Sequence, residues 1–241
     1  MRWFSALAAR LCGAAPERPA LSPAQQARLD AWRALPAPNL DLPHYQTRYI
    51  VADVEASGLH LGKDRLISIG AVGLSEGMIA NHDAFEVILR QEQVSDTANI
   101  LLHGIGGSAQ REGIDPADAL LMFLEYAGKS PLVAFHAVFD QTMIEKAMRA
   151  YLGIKWEGLW IDLAWVLPVL YAERQEAHST LDFWLEMHGI ENLIRHNAVS
   201  DSYATAKLLQ VALARAAARG AESPKALVEM ERTRRWLMRT R

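Results

Sequence analysis

The chain has 241 residues, 51% of them hydrophobic and 22% charged, and its 25 Lys and Arg stand against 28 Asp and Glu for a net charge of −3. That length can bury a full core as one large domain or a domain with appendages, and the composition excludes a disordered or fibrous chain. The charge excludes a globally basic nucleic-acid wrapper but not a local basic face, and the single cysteine, Cys12, excludes an intramolecular disulfide framework and suits a reducing, cytoplasmic setting.

Met1 to Ala15 has a superficial likeness to a signal peptide, but Arg10 interrupts its apolar stretch, so it reads as a short amphipathic helix. Residues 1–46 as a whole read as an N-terminal helical extension, punctuated by Pro16, Pro19, Pro23, Pro36, Pro38 and Pro43. Ser22-Pro23 starts a helix over Pro23 to Leu35, with Leu29, Trp32 and Leu35 at helical spacing. Its apolar face has to pack on something, the main domain before a partner. Strands follow at Tyr49–Val54, Leu66–Val72 and Ala84–Leu89, an antiparallel meander. His103-Gly104-Ile105-Gly106-Gly107 reads as a loop that fits neither a dinucleotide fingerprint nor a Walker A pattern.

Asp115-Pro116 opens a helix through Ala127, Pro131–Phe135 is a short buried strand, and Asp140–Leu152 is a further helix. Helices then cover Leu163 to Ala172, Thr180 to His188 and Asn197 to Ala218. The apolar run Trp160 to Tyr171 is too short to span a membrane and is interrupted by Asp162 and Pro168. Ser223-Pro224 caps a last helix, in which residues 225–241 carry six basic against two acidic side chains, or +4. A solvated face explains such a run better than phosphate contact. Strands first and helices afterwards, joined by a βαβ step, predict an α/β fold with a mixed sheet covered by helices.

Chemistry concentrates at the end of the first strand. Asp53 and Glu55 are two positions apart, so they project from one face, and burying both unpaired would be very costly. A cation belongs between them. A solvated edge or an unseen Arg explains them less well, because Tyr49–Val54 is too apolar for an edge. Asp140 lies just past the end of the short buried strand, where ligand sites of open α/β sheets gather, and Asp201 lies near the start of the long helix. Four carboxylates from separate segments suit two hard divalent cations, and a pair about 3.5 to 4 Å apart can activate water and stabilise a leaving oxygen in phosphodiester hydrolysis. Five helical positions turn about 500°, so His196 and Asp201 would not share a face if both were mid-helix. His196 therefore belongs on the lead-in, where an imidazole titrating near neutrality can act as a general base.

These motifs resemble the DnaQ-like family of 3′-5′ exonucleases, in its DEDDh subgroup, which includes the proofreading epsilon subunit of bacterial DNA polymerase III. Asp53-Val54-Glu55-Ala56-Ser57-Gly58-Leu59 is similar to the family's D-x-E-T-T-G-L, His136-Ala137-Val138-Phe139-Asp140 to its N-x-x-F-D, and His196-Asn197-Ala198-Val199-Ser200-Asp201-Ser202 to its H-x-A-x-x-D-A. The resemblance covers roughly residues 47–215, so the chain divides into an extension over 1–46, an exonuclease domain over 47–215 and a basic C-terminal helix over 216–241. It implies a ribonuclease H-like fold with a mixed five-stranded sheet. It also implies Asp53, Glu55, Asp140 and Asp201 as ligands of two Mg²⁺ or Mn²⁺ ions, and His196 as the base. Ala56, Ser57, Gly58, Leu59, His103 and His136 would line the substrate, with Leu59 as an apolar wedge and His103 beside the 3′ end.

Ala56 stands where the family has Thr, and His136 where it has Asn, departures that bear on substrate preference and leave hydrolysis intact. The expected substrate is the 3′ end of single-stranded nucleic acid, DNA before RNA. The alternatives are an RNA-directed exonuclease like oligoribonuclease or ribonuclease T, and a silent binding or scaffold protein. A DNA polymerase subunit is a candidate partner, although the short basic tail, without an evident clamp-binding segment, favours a stand-alone nuclease. No membrane partner is expected, and nothing in the sequence sets an oligomeric state.

Overall fold

A computed structural model describes residues 20–174 and 180–240; the amphipathic helix expected over Met1 to Ala15 lies outside them. The sheet has five strands: β1 (Tyr49–Ala56), β2 (Leu66–Ser75), β3 (Met78–Ile88), β4 (Leu132–Ala134) and β5 (Trp160–Asp162), in the order β3-β2-β1-β4-β5. β1 runs antiparallel to β2 and parallel to β4, so the mixed five-stranded α/β sheet expected from the motifs is present. The helices among the described residues are α1 (Pro23–Arg33), α2 (Thr97–His103), α3 (Gly107–Glu112), α4 (Pro116–Ala127), α5 (Val138–Ala147), α6 (Leu163–Leu170), α7 (Leu181–Met187), α8 (Ala198–Ala217) and α9 (Pro224–Arg239).

Alternation along β1 divides the core. Ile50, Ala52 and Val54 face a layer with α1, α4 and α5, while Tyr49 and Val51 face a layer with α6, α7, α8 and α9. Asp53 and Glu55 continue the second set, which turns them toward the face that α8 covers. α1 sits on α4 through buried Leu29 and Trp32, with the Trp32 indole donating to Gly128 O at 2.8 Å. The chain after α1 meets the turn before α9, where His44 N donates to Glu222 O (2.8 Å) and Lys225 Nζ to Asp41 (2.9 Å).

Several elements differ from the sequence reading. β3 starts at Met78, six positions before the expected strand, because Glu76 and Gly77 turn with positive φ and pair Ser75 with Met78. The loop expected at His103–Gly107 is confined to residues 104–106 and is flanked by two short helices, α2 and α3, that the sequence did not predict. α5 begins at Val138 and passes at Met148 into one π-helical turn. β5 is only three residues long and was hidden in the apolar run that continues into α6.

α8 crosses the sheet so closely that a Cβ built on Gly70 of β2 would lie 2.3 Å from the Ala198 carbonyl carbon. Ser202 Oγ donates to Gly70 O at 3.0 Å and locks the contact. Gly70→Ala has to push the start of α8, and Asp201 with it, away from β1. It should destabilise the fold by about 1–3 kcal/mol in denaturant melts; an unchanged midpoint would contradict this close approach.

Candidate active site

β1 supplies Asp53 and Glu55, α5 supplies Asp140 in its first turn, and α8 supplies Asp201 in its first turn. One carboxylate oxygen from each of Asp53, Glu55 and Asp201 lies within 4.8 Å of the others. Asp140 joins them near the end of β1, its Oδ1 accepting from Val54 N at 3.1 Å. The two helices present their N-termini here, and the partial positive charge of those ends favours the anions held in their first turns. Burial outweighs that help, and repulsion within the cluster adds to it at Asp53 and Glu55. Burial and then the neighbouring Asp140, Asp201 and Glu55 hold Asp53 well above the usual carboxylate range. Glu55 is pushed up to about 8 by burial and then by Asp201 and Asp140, and burial likewise raises Asp140 to about 8.

An arginine also stands at the site, paired with Asp201 and Asp182. Arg195 donates to Asp201 Oδ1 at 2.7 Å and pairs with Asp182 at 3.0 Å, and its charge opposes the rise at Asp53 and Glu55. Asn192 Nδ2 also donates to Asp201 Oδ1, and His196 N donates to Oδ2 at 3.0 Å. One guanidinium cannot balance four carboxylates. The donor set, all hard anionic oxygens, fits a divalent cation such as Mg²⁺ or Mn²⁺.

A cleft of about 820 Å³ opens over this cluster, and its lining includes Ala56, Gly58, Leu59, His103, His136 and His196 together with the four acids. His196 is exposed and lies outside α8, two residues before its first helical position, with φ of 59°. It thus occupies the lead-in expected from the helical arithmetic. His103 is buried; its Nδ1 accepts from Ile105 N at 3.0 Å, so the ring proton sits on Nε2, which has no hydrogen-bond partner among the described residues. Leu59 stands 85% exposed at the rim.

Ser57 is placed differently from its neighbours. Its hydroxyl donates to Asp64 Oδ1 (2.9 Å) and accepts from Arg65 N (3.0 Å), so it closes the β1–β2 loop and is not among the residues lining the cleft. Asp64 also accepts from His60 N at 2.7 Å. Lys146 of α5 completes the loop by donating to the carbonyls of Leu61 (3.1 Å), Gly62 (3.1 Å) and Asp64 (2.8 Å). Arg195, Asn192, Asp182 and Lys146 were absent from the sequence reading. Only Arg195, directly before His196, carried a local signal.

Comparison with known proteins gives the same picture. A family described as Exonuclease, of the RNase T type, matches residues 50–209. The chain belongs to the exonuclease family. Its curated relatives include PolC-type DNA polymerase III of Caldanaerobacter subterraneus subsp. tengcongensis, 31% identical over 160 residues, and of Bacillus subtilis, 31% identical over 173 residues. Those alignments cover 66% and 71% of this chain but only 11% and 12% of the relatives, so the chain spans about a ninth of their length. Among solved structures, E. coli exonuclease I in complex with a dT13 oligonucleotide matches with a TM-score of 0.59 at 20% identity, over 71% of this chain and 42% of that one. Exonuclease X in complex with 5′-overhanging duplex DNA matches with a TM-score of 0.58 at 18% identity, over 76% of this chain and 99% of that one. These neighbours share the fold, in keeping with the resemblance read from the three motifs. No helix among the described residues is long and apolar enough to cross a membrane.

The crowded carboxyls give a pH signature. Glu55 and Asp140 hold their protons more tightly folded than unfolded, where the ordinary values are 4.5 and 3.8. Their contribution to stability is therefore complete below pH 4 and is lost as pH rises through about 8. In a chelator, the thermal midpoint should fall between pH 5 and 9, and excess Mg²⁺ should flatten the slope by binding the ionised folded state. A metal-free midpoint that rises over that range would contradict the reading.

Proposed function

We propose that the chain is a divalent-metal-dependent 3′-5′ exonuclease that removes nucleotides from single-stranded 3′ ends, DNA before RNA. The observation that carries this is the meeting of Asp53, Glu55 and Asp201, from a strand and a helix far apart in sequence, with oxygens within 4.8 Å at the floor of an open cleft. Asp53, Glu55, Asp140 and Asp201 would hold two Mg²⁺ or Mn²⁺ ions, which when bound supply charge neutralisation at the scissile phosphate and acidify a water.

The chain's own residues supply the rest. His196, exposed beside the acids, accepts the proton of the attacking water at an imidazole nitrogen. Its backbone is fixed for this by the hydrogen bond that its amide N–H donates to Asp201 Oδ2. His103 Nε2–H donates from the cleft wall to an oxygen of the 3′-terminal nucleotide. Leu59 abuts the terminal base, and the loop behind it is stiffened by Asp64 and Lys146. Ala56 and His136, the two departures from the family pattern, line the same cleft and bear on the choice of sugar. The curated relatives carry the matching segment within a polymerase chain, so a polymerase is the protein partner to test by copurification.

Matched DNA and RNA oligonucleotides labelled at the 5′ end, with Mg²⁺ or Mn²⁺, should give ladders that shorten from the 3′ end, the DNA faster. His196→Ala should slow release by about 10²- to 10⁴-fold, and Asp53→Ala should abolish it. Either variant cutting at the wild-type rate would overturn the assignment.

A further inference from the structure

The basic C-terminal helix is left over from the catalytic scheme, and its best-buried polar contacts lead back to the cleft. Arg235 of α9 donates through Nε to Glu231 (2.7 Å) and through a terminal nitrogen to Asp162 Oδ2 (3.0 Å), while its guanidinium lies 4.6 Å from the centre of the Trp165 ring. Asp162, at the end of β5, is 2% exposed. Its backbone N donates to the other oxygen of Glu231 at 2.8 Å. Its Oδ1 accepts from Ala164 N at the start of α6 (3.1 Å) and from the backbone N of His136 (2.9 Å).

His136 has φ of 62°, a conformation a non-glycine residue adopts only when something holds it there. It begins the turn that leads into α5 and Asp140, and it lines the cleft. Asp162 also stands near enough to Asp140 for its charge to act there.

We propose that Arg235 and Glu231 of α9 are positioning residues, which hold Asp162 so that its carboxylate pins the His136 turn in the substrate cleft. The inference rests on the exonuclease reading for its kinetic consequence but not for its geometry. α9 is thus a brace behind the site, and its basic residue at 235 is used inside the protein. A helix that served only to cover apolar surface would have no need of a charged pair reaching a buried acid. Packing is already served by Leu227, fully buried in the same apolar cluster as residues of α6 and α8.

The test uses the full chain. Arg235→Met, Arg235→Lys and Glu231→Gln are compared with Lys225→Ala, which cuts a different α9 contact, the exposed pair with Asp41. Kinetics on a single-stranded oligonucleotide and the ¹H–¹⁵N resonance of the His136 amide are read for each. Arg235→Met should raise KM about tenfold with kcat changed much less, as expected when a positioning contact slips, and should move the His136 resonance. Arg235→Lys should restore part of both, and Lys225→Ala should alter neither. Should Arg235→Met not fold, Glu231→Gln carries the test, with a smaller KM rise and the same resonance moved. A folded Arg235 or Glu231 variant with wild-type KM and an unmoved His136 amide overturns the proposal, as does Lys225→Ala producing the same KM rise. If the wild type releases no nucleotides, the exonuclease reading fails, while the resonance still decides the brace.

Discussion

The structure depends on holding carboxylates where they repel one another. Asp53, Glu55 and Asp201 bring oxygens within 4.8 Å, with Asp140 beside them, and burial first, then repulsion at Asp53 and Glu55, raises the proton affinity of Asp53, Glu55 and Asp140. Three features oppose it. The acids of α5 and α8 sit in first helical turns, at the favourable end of each helix dipole. Arg195 brings one positive charge. The packing of α8 onto Gly70 then prevents the helix from retreating. A rigid, anion-crowded pocket with too few cations of its own is the preorganised form of a divalent-metal site.

The two histidines next to the acids share a device. His136 and His196 both take positive φ without being glycine, and each backbone N–H donates to a carboxylate, Asp162 for one and Asp201 for the other. An unfavourable backbone conformation persists where the surroundings over-determine it, and here the fixed amides do so at the two turns that carry cleft side chains. The loop bearing Leu59 is treated similarly, with Asp64 and Lys146 tying down backbone groups that a mobile loop would give to water. The cleft is thus framed by turns whose hydrogen bonds are satisfied within the protein.

The appendages join the same framework. α1 fills a gap on one face through Leu29 and Trp32, and α9 closes the other through Leu227 and the Arg235 pairing. The charge run at the C-terminus first reads as a solvated face, yet Arg235 is drawn inward to Asp162. Charge counting along a helix cannot separate the two, because it does not say which of the helix faces meets a buried acid.

The sequence by itself determined the elements whose signal is local. The apolar approach to Asp53, the two-residue spacing of Asp53 and Glu55, and the five-residue step from His196 to Asp201 could be read because each depends only on neighbouring positions and the period of a strand or helix. β5 and the first half of β3 could not be read that way, since three residues or a polar edge offer no clear periodicity. Only the tertiary structure decided that Ser57 closes a loop instead of facing substrate, that Lys146 holds the loop of Leu59, and that Arg195 reaches Asp182. It also joined Asp162 to Arg235 across 73 positions. The reason is physical: a charge-assisted hydrogen bond is specified by where two side chains end in space, and for residues so far apart that position follows from the packing of the helices onto the sheet.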